Sequence, residues 1–183
     1  MPNSTKSPKD PSPIRCIALM RTIDESIILV LQEADSVLLP SRGMVMTMAT
    51  IGSTRFLAPL EPDGKGSHWL RPPADVLQRL QAAPVHGVEL CLEVVNDWPE
   101  PEVPEDLQAA LDDSPELMEL WLDTTPLARW DWIRWIRATN NPKTREKHIQ
   151  VACSKLRSGM RRPCCFNRSI CTDPTVSKNG FLL

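Results

Sequence analysis

The chain has 183 residues, 42% of them apolar, with a formal net charge of −2. That length allows one or two small domains, each with a modest core, and no apolar run approaches the roughly 18 residues of a membrane-spanning helix. A sequence pI near 5.9 and the lack of any recognised nucleic-acid signature argue against a nucleic-acid role.

Residues 1–23 are rich in Pro, Ser and Lys and read as a disordered tail. From Ser26 the text becomes strand-like. Ile27–Leu31 is a β-rich apolar run, and Val37-Leu38-Leu39 a second short one stopped by Pro40. Residues 44–56 alternate, with Met44, Met46 and Met48 on one side and Val45, Thr47 and Ala49 on the other. Gly52-Ser53 reads as a hairpin turn, with a return strand near Arg55–Leu60. Pro62-Asp63-Gly64 is a second turn signal before the short strand His68–Leu70. A small helix is expected at about 73–80, and a last strand at 88–95. Short strands separated by turns predict a small β-barrel over residues 24–99.

Trp98–Pro104 (WPEPEVP) reads as a linker. Four helices follow, near 104–111, 115–122, 126–138 and 142–157, making a helical domain over residues 103–167. Thr125-Pro126 and Asn141-Pro142 each place a capping side chain before a proline, whose missing N–H has no partner at a helix start anyway. In the third helix Ala128, Trp132, Ile133, Trp135 and Ile136 share one arc, with Arg129, Asp131, Arg134 and Arg137 opposite. In the fourth, Ile149, Ala152, Cys153 and Leu156 follow the helical repeat, and Gly159 sits where a C-cap glycine belongs. Residues 168–183 carry no periodicity and read as a loose tail. The fold class is therefore α+β, a small barrel followed by a helical domain.

Charge is segregated. Residues 93–123 hold 11 acidic and no basic residues, whereas 129–168 hold 11 basic and 2 acidic. A basic, Trp-bearing helical hairpin would attract an acidic surface or a phosphate, unless the acidic segment folds against it. The candidate partner-binding residues are Trp130, Arg134, Arg137, Arg145, Lys147, Arg157, Arg161 and Arg162. Trp130 lies on the charged face, where it would anchor a partner, stack on Arg134 or be covered by the barrel.

Other chemistry is weaker. Gly64-Lys65-Gly66-Ser67 fails the P-loop frame, since the lysine is followed by glycine and Pro59 stands where the first glycine belongs. The three histidines are isolated from any nucleophile pattern. The six cysteines are irregularly spaced and suit neither a disulfide framework nor a metal site, and no secretory signal is visible. A reducing, cytoplasmic setting is expected, with no metal and no cofactor. Cys164 and Cys165 are possible reactive thiols, because Arg161 and Arg162 would stabilise a nearby thiolate.

The motifs WDWIRWI (Trp130–Ile136), Thr144-Arg145 and SGMRRPCCFN (Ser158–Asn167) resemble the bacterial YdeI/OmpD-associated (OmdA) family, associated with bacteriocin protection. LPSRGMVM (Leu39–Met46), LEPDGKGSHWL (Leu60–Leu70) and VPEDLQAAL (Val103–Leu111) resemble the small barrel of unknown function that often precedes it. The resemblance implies a double-split β-barrel before a helical domain, in a bacterial cytoplasmic stress protein without established chemistry. The partner would be an acidic protein surface, such as a porin or an antimicrobial peptide complex. Two alternatives stand beside it: a nucleic-acid-binding protein, and a thiol-dependent enzyme using Cys164 and Cys165.

Overall fold

The computed structural model describes residues 12–81, 87–164 and 166–183. Six antiparallel strands close into a barrel: β1 (Ile14–Ile23), β2 (Ser26–Val30), β3 (Val45–Ile51), β4 (Thr54–Pro62), β5 (His68–Leu70) and β6 (Gly87–Val94), in the order β1-β2-β5-β4-β3-β6. Closure leaves no free sheet edge. Every second residue points inward, so Ala18, Leu29, Val45, Ala49, Ala58, Leu60, Leu70, Leu90 and Leu92 fill the interior. The alternation in 44–51 is as expected, with Val45 and Ala49 inside and Met46 buried on the outer side.

Two expectations about the barrel are corrected. Residues 14–23 do not belong to a disordered tail but form β1, which pairs with β2 and over six residue pairs with β6. Its residues Arg15, Ile17 and Leu19 are exposed and alternate with inward positions such as Ile14 and Ala18, so its apolar signal is diluted by outward positions. Val37–Leu39 is not a strand. It follows a one-turn helix, α1 (Glu33–Ser36), and both Val37 and Leu38 are exposed.

The helices are α2 (Ala74–Gln81), inserted between β5 and β6, then α3 (Glu105–Asp112), α4 (Pro115–Leu122), α5 (Pro126–Arg137) and α6 (Pro142–Arg157). Thr125 Oγ1 accepts from Ala128 N at 3.2 Å, and Asn141 Oδ1 from Thr144 N at 3.1 Å. Each such cap stabilises its helix by about 1 kcal/mol. Leu107, Leu111, Leu117, Trp121, Trp132, Ile136, Ala152 and Leu156 form the core of this half. No helix among the described residues is long and apolar enough to cross a membrane.

The C-terminal segment is not loose. Residues 170–183 cross the barrel wall as a strap ending in a short hairpin, β7 (Ser177–Lys178) and β8 (Phe181–Leu182). Cys171, Val176 and Leu182 bury against Ile23, Ile28 and Trp69. Leu182 N donates to Asp63 O at 2.8 Å, and Lys65 Nζ to Leu182 O at 2.6 Å. Gly64 makes this approach possible: a Cβ there would lie 2.2 Å from Gly180 O. The strap was invisible to periodicity because its buried residues serve tertiary contact rather than a regular element.

Candidate functional site

The basic residues of the helical hairpin divide into three groups, according to what the fold places opposite them. The first group lies on α5 and is buried. Arg134 is fully buried, although the helical wheel assigns it to a solvated face. That face of α5 meets the barrel and the strap. On β4 the alternation that turns Leu60 inward turns Glu61 outward, and Glu61 is buried between the two halves. Its carboxylate accepts from Arg137 Nη2 and lies 3.7 Å from Arg134 Nε. Arg134 also donates to the carbonyl oxygens of Ile170 at 3.1 Å and Arg168 at 3.5 Å, and Arg137 donates to Thr172 Oγ1 at 3.2 Å. Phe166 lies across the Arg134 guanidinium at 5.5 Å.

Burial disfavours charge on both arginines. At Arg134 burial prevails and the pKa is lowered. At Arg137 the attraction and hydrogen bond of Glu61 outweigh burial and raise it. Both remain protonated, because guanidinium titrates far above neutrality. Asp131 completes the cluster from inside α5, 3.0 Å from Arg168 Nη2 and 4.0 Å from Arg134 Nη1. Burial raises its pKa, while Arg168, Arg134 and Arg162 pull the other way. Arg134 and Arg137 thus join helix, barrel and strap, and the expected binding role is corrected for Arg134, which is fully buried and offers nothing to a partner.

The second group is neutralised by the acidic segment. Arg145 grips Asp106 through two bonds of 2.6 and 2.9 Å. This hydrogen bond holds the Asp106 carboxyl below its usual range and raises the Arg145 pKa. Arg161 pairs with Asp123. Arg129 makes two bonds with Glu100, the shorter 2.5 Å, and its Nη1 also donates to the carbonyl oxygens of Trp121, Leu122 and Thr124 at the end of α4. The Trp98–Pro104 segment is accordingly no free linker. Trp130 belongs with it: its Nε1 donates to Pro99 O at 2.9 Å, and its ring meets Trp98 edge-on at 6.3 Å. Trp130 therefore anchors the chain's own segment, and does not stack on Arg134.

The third group is exposed. Lys143, Lys147 and Arg157 on α6, and Arg162 at its exit, face solvent. No ion pair joins them to a carboxylate among the described residues. With about 100° per residue, Lys143, Lys147, Gln150, Ser154 and Arg157 fall within an arc of about 80° and extend over about 21 Å. All five are exposed, and Glu146 borders the row.

A residue pair that sequence reading passed over sits at one end of the barrel. His68 is buried, with Nε2 2.9 Å from Gly43 O and Nδ1 2.6 Å from Ser36 Oγ. The carbonyl can only accept, so Nε2 carries the hydrogen and Nδ1 accepts from the serine hydroxyl. Burial lowers the His68 pKa. Ser36 is itself fully buried, so the pair ties α1 to β5 and presents no nucleophile. Trp135 stacks on His148 at 4.4 Å. Cys165 lies outside the described residues. Cys164 lies beside Lys155, whose Nζ donates to its Sγ at 2.9 Å. Among the described residues no group of three His, Cys, Asp or Glu side chains could hold a metal.

A family model described as bacteriocin-protection, YdeI or OmpD-associated (OmdA) matches residues 100–159. The segment from α3 to α6 is an OmdA domain. The match spans the acidic helices and both helices of the basic hairpin, and leaves outside it the barrel, Glu61 and the strap. No curated protein and no solved structure gives a significant match to the chain.

Proposed function

We propose that this chain is a non-enzymatic protein of the bacteriocin-protection type, and that its OmdA domain binds an acidic protein surface through the outer row of α6 and Arg162. The observation that carries this reading is the row itself: Lys143, Lys147 and Arg157 are exposed on one side of a helix whose other cations are engaged, Arg145 with Asp106 and Lys155 with Cys164. Arginines and lysines without a counterion raise the local positive potential and steer acidic partners. An acidic patch on a porin or on an antimicrobial peptide complex has the chemistry to meet it. The family match to residues 100–159 supports the same class of function. On this proposal the protein acts in a bacterial cytoplasm, as a stress-resistance factor.

The test is protection of bacterial cells expressing the chain against a bacteriocin, compared with cells expressing Lys147→Glu with Arg157→Glu. The double variant is expected to fold with unchanged thermal stability and to lose protection. Full protection by the folded variant would refute the role of the row. A gel shift of random-sequence DNA with a steep salt dependence, abolished by the same variant, would move the reading to nucleic acid.

A further inference from the structure

The basic row of α6 has a counterpart on the same chain. Glu116 and Glu119 are exposed on α4, and exposed Asp112 and Asp113 lie just before it, at the turn out of α3. No ion pair joins any of these carboxylates to a cation among the described residues. Other carboxylates of the acidic segment are already engaged, Asp106 by Arg145 and Asp123 by Arg161. The OmdA domain thus presents one acidic face and one basic face, each without its countercharge.

The two faces also carry matching apolar features. Leu122 follows Glu119 by one turn of α4 and is 63% exposed. Beside the basic row, α3 and α6 leave a cavity of about 360 Å3, lined by Ala110, Pro142 and Ile149 with the Asp106–Arg145 pair, Glu146 and Gln150. Gln150 belongs to the row itself, so recess and row are continuous. Within one chain the faces cannot meet. Leu117 and Trp121 turn the opposite side of α4 into the helical core, and Ile149, Cys153 and Leu156 do the same for α6. Each charged side therefore points away from the core that the two helices share.

We propose that the acidic surface met by the α6 row is the α4 face of a second copy of this chain, with Leu122 seated in the recess between α3 and α6. This inference rests on the acidic-partner reading and names the partner; any other acidic surface competes for the same row. Opposite charges draw the faces together and fix their orientation, and the leucine supplies the apolar contact. Because the contact joins unlike faces, each copy keeps one of them free, and copies associate head to tail.

The experiment is sedimentation velocity on the full chain, from about 10 μM to about 1 mM protein. At about 50 mM salt the average mass should rise with concentration, and association should be at least about tenfold weaker at about 500 mM salt. Lys147→Glu with Arg157→Glu, and Glu116→Lys with Glu119→Lys, should each sediment as a monomer. Mixed in equal amounts they should associate, because each supplies the face that the other lacks. Leu122→Ala should weaken association of the otherwise unchanged chain about tenfold. A chain that stays monomeric at low salt would overturn the proposal, as would a mixture no heavier than its parts or a Leu122→Ala chain that associates like the wild type. Should a double variant fail to fold, Lys147→Glu and Glu119→Lys alone are mixed in its place. A monomeric wild-type chain whose row variant still loses bacteriocin protection would overturn this inference alone and leave the acidic-partner reading standing. Association abolished by the row variant with protection intact would support the self-contact and remove the protective role of the row.

Discussion

Helices α5 and α6 are consecutive, start with the same cap-plus-proline device and carry a similar load of cations, yet their charges do opposite work. On α5, Arg129 and Arg134 are almost fully buried and Arg137 largely so, each facing a carboxylate from outside the helix: Glu100 for Arg129 and Glu61 for the other two. On α6, Lys143, Lys147 and Arg157 face water. The difference teaches that a basic helix face is a structural device where a distant carboxylate is buried with it, and a binding surface only where none arrives. A buried charge left without its partner is far more costly than an exposed one.

The sharpest way to break this contrast is at Glu61. Glu61→Gln removes the carboxylate that two guanidinium groups share in the seam, and is expected to lower stability by about 3–5 kcal/mol in urea denaturation. A loss close to that of a surface mutation would mean that the seam is open to water. Next comes Arg129→Met, which removes a donor from three carbonyl oxygens at the end of α4 as well as from Glu100. The expected loss is about 2–3 kcal/mol, whereas Glu100→Gln, at a carboxylate 65% exposed, should cost less than about 1 kcal/mol. Equal losses from the two would show that the carbonyl contacts contribute little.

The barrel supplies a pH-dependent probe. His68 is held neutral, with a lowered pKa, by burial. The unfolded chain takes up the proton at the ordinary histidine value, near pH 6.5, before the folded chain does. Stability is therefore complete above that value. It falls as pH drops from there towards the lowered folded value. Protonation would also set Nδ1–H against the Ser36 hydroxyl hydrogen, so the hydroxyl would have to turn to a new acceptor. Thermal melts across this range should show the decline, and His68→Gln should flatten it. The smallest effect belongs to α6: Lys147→Glu with Arg157→Glu should change stability by no more than about 0.5 kcal/mol. A large loss there would erase the distinction between the two helices.

Much of the architecture could be read along the chain. The alternation of 44–51, the turn at Gly52-Ser53 and the capped starts of α5 and α6 rest on local chemistry, and the structure carries them as expected. β1 escaped because its outward residues include Ile17 and Leu19, which blur the two-residue period on an exposed wall. The strap escaped because Cys171, Val176 and Leu182 have no common period; they are buried by Trp69, more than a hundred positions away. At the candidate site, the segregation of acid and base was plain, but the pairing of Arg145 with Asp106 and of Arg161 with Asp123 was visible only as a general possibility. Glu61 gave one faint signal, a carboxylate directly after the apolar run Phe56–Leu60.

By itself the amino-acid order determined most of the elements and the family likeness of the helical half, because caps, turns and periodicity act over a few residues. Only the tertiary structure decided which cations are engaged. Coulomb attraction and burial depend on distance in space, and Glu61 reaches Arg137 across 76 positions of chain. The same arginine reads as surface or as core according to what the fold sets against it.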